Sequence, residues 1–285
     1  MGTTAQKLNK ILETKEAIRT AINNKGGTLT TTDTFASYPS AINSLPSGGN
    51  DWLKEYLDVT KDASYLFCGR SNVDGGTITT WGNNLTYEIL QNALKYDTTS
   101  SVNNMSGMFY SCGKLTTIPL INTSLVTNMS YMFSSSTVTT IPQLDTSKVK
   151  NMSYMFSGCS KLTMIQLDTS NVTSMEYMFS NCFKLTTIDI SHMNTKSISR
   201  SLNFANGCYV LTKLIIRNMS SIPVLNTNSF YNCFHFEGTV NADYNPQGLK
   251  DGRIYVPDDK VNALKTATNW STYADIIVPL STLVE

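Results

Sequence analysis

Apolar residues in the middle of this 285-residue chain return at near-regular distances. Phe109, Phe133, Phe156, Phe179, Phe204 and Phe230 are separated by 24, 23, 23, 25 and 26 positions. Around them one pattern recurs, V-x-x-M-x-x-M-F-x-x-C-x-x-L-x-x-I-x-L. It is clearest at Val172, Met175, Met178, Phe179, Cys182, Leu185, Ile188 and Ile190. The copy before it reads Val149, Met152, Met155, Phe156, Cys159, Leu162, Ile165 and Leu167. Agreement at eight positions in successive copies marks an internal repeat, and a period of this length marks a stacked architecture. In the first half of the pattern apolar residues fall every three or four positions, which predicts one face of a short helical turn. In the second half they alternate, which predicts a short strand. A single copy cannot bury its apolar edge, whereas stacked copies share one core. The predicted fold is therefore an α/β repeat solenoid whose strands form a parallel sheet.

Departures from the pattern divide the chain. The second copy is one residue short between Phe133 and Val138, and Ser136 stands in its cysteine slot. The fifth is lengthened by Ser191–Ser201 and by Asn206-Gly207-Cys208. Phe67 and Cys68 suggest a degenerate first copy, followed by an insertion over 69–100, with Trp81, Tyr87 and Leu90, that completes an N-terminal cap. Capping is needed because an open end exposes apolar core and unpaired strand edge. Before this, Thr4–Lys25 predicts one helix with Leu8, Ile11, Leu12, Ile18, Ala21 and Ile22 on a stripe and Gly26-Gly27 as its stop. Charged Lys7, Lys10, Glu13, Lys15, Glu16 and Arg19 flank that stripe. Two readings stay open: a helix packed on its own domain, or one that self-associates or docks into a larger assembly through Leu8, Ile11, Leu12, Ile18 and Ile22. Asp33, Phe35, Tyr38, Pro39 and Ile42 follow, and Pro46–Asn50 breaks the chain. The expected division is 1–45 as a helical attachment module, 46–100 as linker and N-terminal cap, 101–240 as repeats and 241–285 as C-terminal cap.

Composition narrows the chemistry. Net charge is +1 and 15% of residues are charged, so no broad field exists to attract nucleic acid or acidic membranes. No apolar run reaches the roughly 20 residues of a membrane span, and the N-terminus does not read as a secretory signal. The expectation is synthesis in a cytoplasm. With His192 and His235 alone, histidine-dependent triads and metal sites have almost no raw material, so neither an enzyme nor a cofactor is expected. Asp145 and Asp168, with Asn122 and Asn226 in equivalent positions, predict side-chain turns rather than calcium sites, which want more carboxylates. Six cysteines, most in one repeat slot, read as buried free thiols. Two sets of columns remain for binding. One is Tyr131, Tyr154 and Tyr177, expected to be exposed. The other holds the outward strand residues Thr117, Thr140, Met164, Thr187 and Lys213, beside Pro119, Pro142, Gln166, Asp189 and Ile215.

The segment Asn171–Ile188, "NVTSMEYMFSNCFKLTTI", resembles the BspA-like leucine-rich repeat of bacterial, protist and phage surface proteins. Its C-terminal region is similar to that family's end cap: Ile254-Tyr255-Val256-Pro257, then Val261, Leu264, Trp270, Tyr273 and Ile276. A strand, an N-cap at Asp258, a short helix and Trp270 over the last copy are expected there. The resemblance covers roughly 100–285 and implies right-handed, leucine-rich-type coils and an adhesive role. "KLNKILETKEAIRTAINNKG", followed by "FASYPSAI", is similar to the N-termini of bacteriophage tail, fibre and baseplate-associated proteins. Together these imply a non-catalytic phage virion appendage, a tail fibre or receptor-binding protein on the virion surface. It would engage a host cell-surface glycan or protein and other virion proteins through its N-terminus, as a homo-oligomer with a trimer the first guess. A structural head fibre or decoration protein, and a bacterial surface adhesin, are the alternatives.

Overall fold

The computed structural model describes residues 4–24, 27–32, 51–68, 71–73, 76–78, 85–94, 96–192, 203–219, 222, 229–230, 233 and 252–284. Of residues 4–12, 14, 51–52, 54–56, 71–73, 76–78, 92–93 and 96–97 it describes the backbone alone. Pro46–Asn50, Phe35–Ile42, Trp81, Asn226 and His235 lie outside the described residues. The chain divides into two compact units, Met1–Asp145 and Thr146–Glu285, with the division inside the stretch that carries the repeats.

The first unit opens with helix α1 (Thr4–Asn24). It ends where Gly27 N–H bonds the Ile22 carbonyl at 3.0 Å, a position where an added Cβ would meet Ile22 Cγ2 at 2.3 Å. Asn23 then holds the next turn through both its amide atoms to the Leu29 backbone. Helix α2 (Asp51–Thr60) buries Leu53 and Leu57, and α1 packs against it. Strands β1 (Ser71–Val73) and β2 (Gly76–Ile78) pair antiparallel. Helix α3 (Tyr87–Ala93) starts on the Thr86 hydroxyl, which accepts from Ile89 N–H. Ile18 and Ile22 are fully buried within the chain, so these two proposed assembly residues serve its own core. The side chains of Leu8, Ile11 and Leu12 are outside the described residues.

The copies of each unit are tied by a shared hydrogen-bond scheme. Within the methionine–phenylalanine segment, alternate N–H groups cross to the next copy. Met105, Gly107, Phe109 and Ser111 donate to Asn128, Ser130, Met132 and Ser134 at 2.8–2.9 Å, and Ala63, Tyr65 and Phe67 donate to Asn104, Ser106 and Met108. In the second unit Met152, Tyr154, Phe156 and Gly158 repeat this with Ser174, Glu176, Met178 and Ser180. The intervening N–H groups close local four-residue turns, such as Tyr110 to Gly107 and Ser157 to Tyr154. This overturns the predicted helical turn. Two residues four apart take left-handed backbone in each copy: Gly107 and Ser111, Tyr131 and Ser135, Tyr154 and Gly158, Tyr177 and Asn181, Asn203 and Gly207. A right-handed helix cannot contain them. Consecutive turns reproduce the three-residue apolar spacing that suggested one.

Side chains reinforce the scheme. The buried hydroxyls of Thr99, Thr123, Thr146 and Thr169 each donate to a carbonyl one copy on, at Asn122, Asp145, Asp168 and His192. The expected side-chain turns occur at Asn122 and Asp168, whose oxygens accept from the N–H two residues later. Phenylalanine rings fill the interior. Phe67 stacks on Phe109 at 5.9 Å and Phe109 on Phe133 at 5.5 Å, which makes Phe67 part of a first copy. In the second unit Phe156 stacks on Phe179 at 5.7 Å, and the contacts then turn edge-on through Phe204 to Phe230.

Strands appear only where proline is absent from the slot. In the second unit β3 (Met164–Leu167), β4 (Thr187–His192), β5 (Lys213–Asn218), β6 (Arg253–Val256) and β7 (Ile277–Pro279) form one parallel sheet in that order. The equivalent segments of the first unit hold Pro119 and Pro142 and form no strand among the described residues, because proline has no N–H for a ladder. One rung survives there, Thr139 N–H to the Thr116 carbonyl at 2.8 Å. Pro119, expected to face outward, is buried. Beyond β6, helix α4 (Val261–Thr266) is not capped by Asp258: its first flanking residue is Lys260. The Asp258 carboxylate instead accepts from Ser281 N–H at 3.1 Å. Trp270 and Tyr273 close on Phe230 as the cap expectation required.

Phe156→Ala and Phe179→Ala should each lower the free energy of unfolding by about 3–5 kcal/mol, since each removes a fully buried ring from a packed column. Denaturant melts measure it, and a wild-type midpoint for either variant would displace that ring from the core.

Candidate functional site

The outward strand columns exist in the second unit as sheet register. Met164, Thr187, Lys213 and Arg253 align across the sheet, as do Gln166, Asp189, Ile215, Tyr255 and Val278. Met164 and Gln166 are exposed and Thr187 is half-buried. Ile215, expected to face outward, is buried, and Asp189 also departs from expectation. It is only 8% accessible, because Arg217 on β5 grips it through Nε at 2.9 and 3.1 Å and Nη2 at 2.6 Å. A carboxylate held by a forked guanidinium is a structural pair, not a free contact. In the first unit Thr140 is exposed and Thr117 half-buried, but with no strand beneath them they form no pleated column.

Tyr131, Tyr154 and Tyr177 are half-buried rather than fully exposed. Each occupies the first left-handed position of its copy, with φ of 60°, 60° and 53°. Such a backbone costs a bulky residue about 1–2 kcal/mol. Tyr154 and Tyr177 stack face to face at 4.7 Å and 8°, which contributes about 0.5–1.5 kcal/mol. One stack serves two strained residues and so does not offset their strain, which Gly107 and Asn203 lessen in the same slot of other copies. At Gly107 the vacancy is used: an added Cβ would sit 2.3 Å from Tyr65 Cε1. The Tyr65 ring lies there, edge-on to Tyr110. Burial, then Cys68, Tyr131 and Tyr110, pushes the Tyr65 hydroxyl far up.

One cluster brings together residue types associated with hydrolysis. Ser191 Oγ donates to Asp168 Oδ1 at 2.6 Å, accepts from Thr169 N–H at 3.0 Å and lies 3.0 Å from His192 Nδ1. The order is wrong for a charge-oriented nucleophile, in which histidine, not aspartate, takes the serine proton. Ser191 is spent on the turn. Burial acts to raise Asp168, but the bonds from Ser191 and Ser170 and the nearness of His192 outweigh it and hold the carboxyl below its ordinary value. Among the described residues no three His, Cys, Asp or Glu side chains converge as a metal site would need.

All six cysteines are buried and none forms a disulfide. Their slot has a chemical reason beyond volume. Cys112, Cys182 and Cys208 donate through sulfur to the carbonyls of Phe67, Phe156 and Phe179 one copy earlier, at 3.2, 3.1 and 3.0 Å, and Cys233 does so to Ala205. Burial raises the thiols of Cys182 and Cys233, which keeps them protonated donors.

The sequence reading missed an exposed corner. In the C-x-x-L part of each copy the leucine N–H returns to the cysteine carbonyl, at Cys112–Leu115, Cys159–Leu162, Cys182–Leu185 and Cys208–Leu211. The two central residues of each turn face outward. In the second unit they are Ser160-Lys161, Phe183-Lys184 and Tyr209-Val210. Phe183 and Tyr209 stack at 5.7 Å and 7° while remaining 45% and 40% exposed. The available signal was aromatic residues at a turn position, where packing does not require them.

Two outcomes test these assignments. Because the fold holds Asp168 below its ordinary value of 3.8, its contribution is complete above that pH and is lost as pH falls through the lower folded value. Asp168→Asn should flatten this acid-side part of the stability profile in pH-resolved melts. Iodoacetamide should leave the native thiols unmodified and label all six once the chain is denatured without reductant; three intact disulfides would refute the thiol column.

The family model described as "Mycoplasma protein of unknown function, DUF285" matches residues 80–165 and again 135–244. Together the matches span more than half of the chain. The family is found in BspA-like surface repeat proteins, in agreement with the resemblance carried by the repeat. No curated protein matches the chain. The matched stretch does not reach residues 1–79, and the likeness of the N-terminus to phage tail proteins has no support from these comparisons. Matched twice along the stretch that carries its copies, this chain belongs to the DUF285 family.

Proposed function

We propose that the copies form one right-handed solenoid of leucine-rich type, and that the protein is a non-catalytic virion appendage binding a host-surface component. The N-terminal region would join it to other virion proteins and to further copies of itself. The observation that carries the recognition reading is the stacked pair Tyr154–Tyr177. Its one ring contact does not offset the backbone strain of two tyrosines, so fold stability gives no reason for tyrosine over the glycine or asparagine of sibling copies. Strained bulky residues that stability does not demand mark a functional surface. The absence of a nucleophile free of structural duty in the Asp168–Ser191–His192 cluster favours binding over catalysis.

A second reading, a bacterial surface adhesin, is favoured by the family's occurrence in BspA-like surface repeat proteins. Both readings use the same surface and differ in where the protein resides. Immunogold labelling separates them: label on phage particles supports the appendage, and label on the envelope of producing cells supports the adhesin. Label confined to the cell interior overturns both.

Tyr154→Asn/Tyr177→Asn should keep the fold, since Asn203 already adopts the same left-handed backbone. Adsorption of the purified double variant to host cells should weaken by about tenfold or more, a loss of roughly 1.4 kcal/mol. Undiminished adsorption would remove the tyrosine column from the binding surface.

A further inference from the structure

We propose that the C-x-x-L corner of the second unit is a binding site for an acidic polysaccharide. This rests on the surface-recognition reading above and names its ligand class.

The column of first corner residues steps from Ser160 to Phe183 and then to Tyr209. One face of Phe183 lies on Tyr209. Among the described residues it has no second ring partner, and the residue at the equivalent place one copy earlier is the small Ser160. The step forms a ledge with an aromatic face above it. A pyranose ring, apolar on its C–H face and polar at its rim, suits such a platform as tyrosine and tryptophan suit amphipathic partners.

Charge lies beside the ledge. Lys184 follows Phe183 in the same turn, and Lys161 holds the equivalent position one copy earlier. Both are exposed, and among the described residues neither has an ion-pair partner. Two like charges on neighbouring copies repel each other and are complemented by an anion. The copies advance in steps of about 4.8 Å, the spacing of adjacent strands, so successive corners are matched by a polymer with regularly placed carboxylates. An acidic peptide is the poorer fit. Peptides gain affinity by pairing with open backbone, and here the cysteine carbonyls and leucine N–H groups already bond each other. Nucleic acid is disfavoured by the +1 net charge, since phosphate chains draw most of their affinity from a basic field.

Affinity electrophoresis of the full chain in native gels tests the assignment. Gels containing polygalacturonate, dextran or polyglutamate distinguish an acidic glycan, a neutral glycan and an acidic peptide. Polygalacturonate alone should retard the protein, and the retardation should fade at about 1 M salt, where the screening length is about 3 Å. Lys161→Glu/Lys184→Glu and Phe183→Ala/Tyr209→Ala should each weaken it by about tenfold or more, equivalent to roughly 1.4 kcal/mol. The lysine variant should melt as wild type does, and the aromatic variant should remain cooperatively folded at assay temperature, which separates lost binding from lost fold. Equal retardation by dextran or polyglutamate, or none by polygalacturonate, overturns the proposal, as does retention of binding by both double variants. Adsorption of the wild-type chain to host cells reports separately on the broader reading. Adsorption without polygalacturonate binding discards the corner alone, whereas polygalacturonate binding with no adsorption to any cell discards host attachment alone.

Discussion

The copies hold together because their backbone divides its hydrogen bonds between two directions. Along the methionine–phenylalanine segment, every second N–H leaves its copy for the next and the others close turns within it. That division requires two left-handed residues four apart, which is why glycine, asparagine and serine recur at Ser111, Ser135, Gly158, Asn181 and Gly207. It also turns the methionines and phenylalanines inward together, so the apolar column and the polar ladder are consequences of one backbone path. The inward-facing polar side chains obey the same demand. Buried threonine hydroxyls and cysteine thiols reach carbonyls of neighbouring copies, and among the described residues no buried side-chain nitrogen or oxygen lacks a partner. Each such bond contributes only about 0.5–1.5 kcal/mol net, but an unmet group in this interior would cost more than a bond supplies.

Much of this was legible in the amino-acid pattern. The phenylalanine spacing fixed which residues stack, and Trp270 and Tyr273 were recognisable as the closing layer. The helical reading of V-x-x-M-x-x-M-F failed for a definite reason. Apolar residues every third position fit a helix, but they also fit consecutive turns, and hydrophobic spacing alone cannot separate the two. The tyrosine before each Met-Phe pair carried no sign of left-handed backbone, though Gly107 and Asn203 in its slot did. Proline in the strand slot was a readable signal: Pro119 and Pro142 exclude a ladder, while Gln166, Asp189 and Ile215 permit one. Pairing between Asp189 and Arg217, 28 positions apart, became visible only with the sheet register.

The candidate surfaces were legible to a lesser degree because a repeat multiplies every residue it carries, useful or not. Recurrence therefore says little about binding, and deviation from recurrence says more. Tyrosine where glycine would be easier, and Phe183 and Tyr209 where Gly113 and Ser160 suffice, are both deviations. Asp189 illustrates the reverse: its place on an outward column suggested availability, and a guanidinium two residues along the next strand removed it. Ile18 and Ile22, which the stripe left open between a partner and the chain's own domain, are buried within the chain.

The direction of the bonds between copies has one more implication. Along the left-handed turns N–H groups point toward the following copy, as from Phe109 to Met132. Along the threonine edge they point backward, as from Thr139 to Thr116 and Thr186 to Thr163. Either end face of such a stack is thus a fixed mosaic of donors and acceptors, and the two end faces are complementary rather than alike. A stack can be lengthened only by a copy in the same orientation, since a head-to-head meeting would set amide against amide. Polarity of this kind makes the number of copies free to vary while their orientation is not.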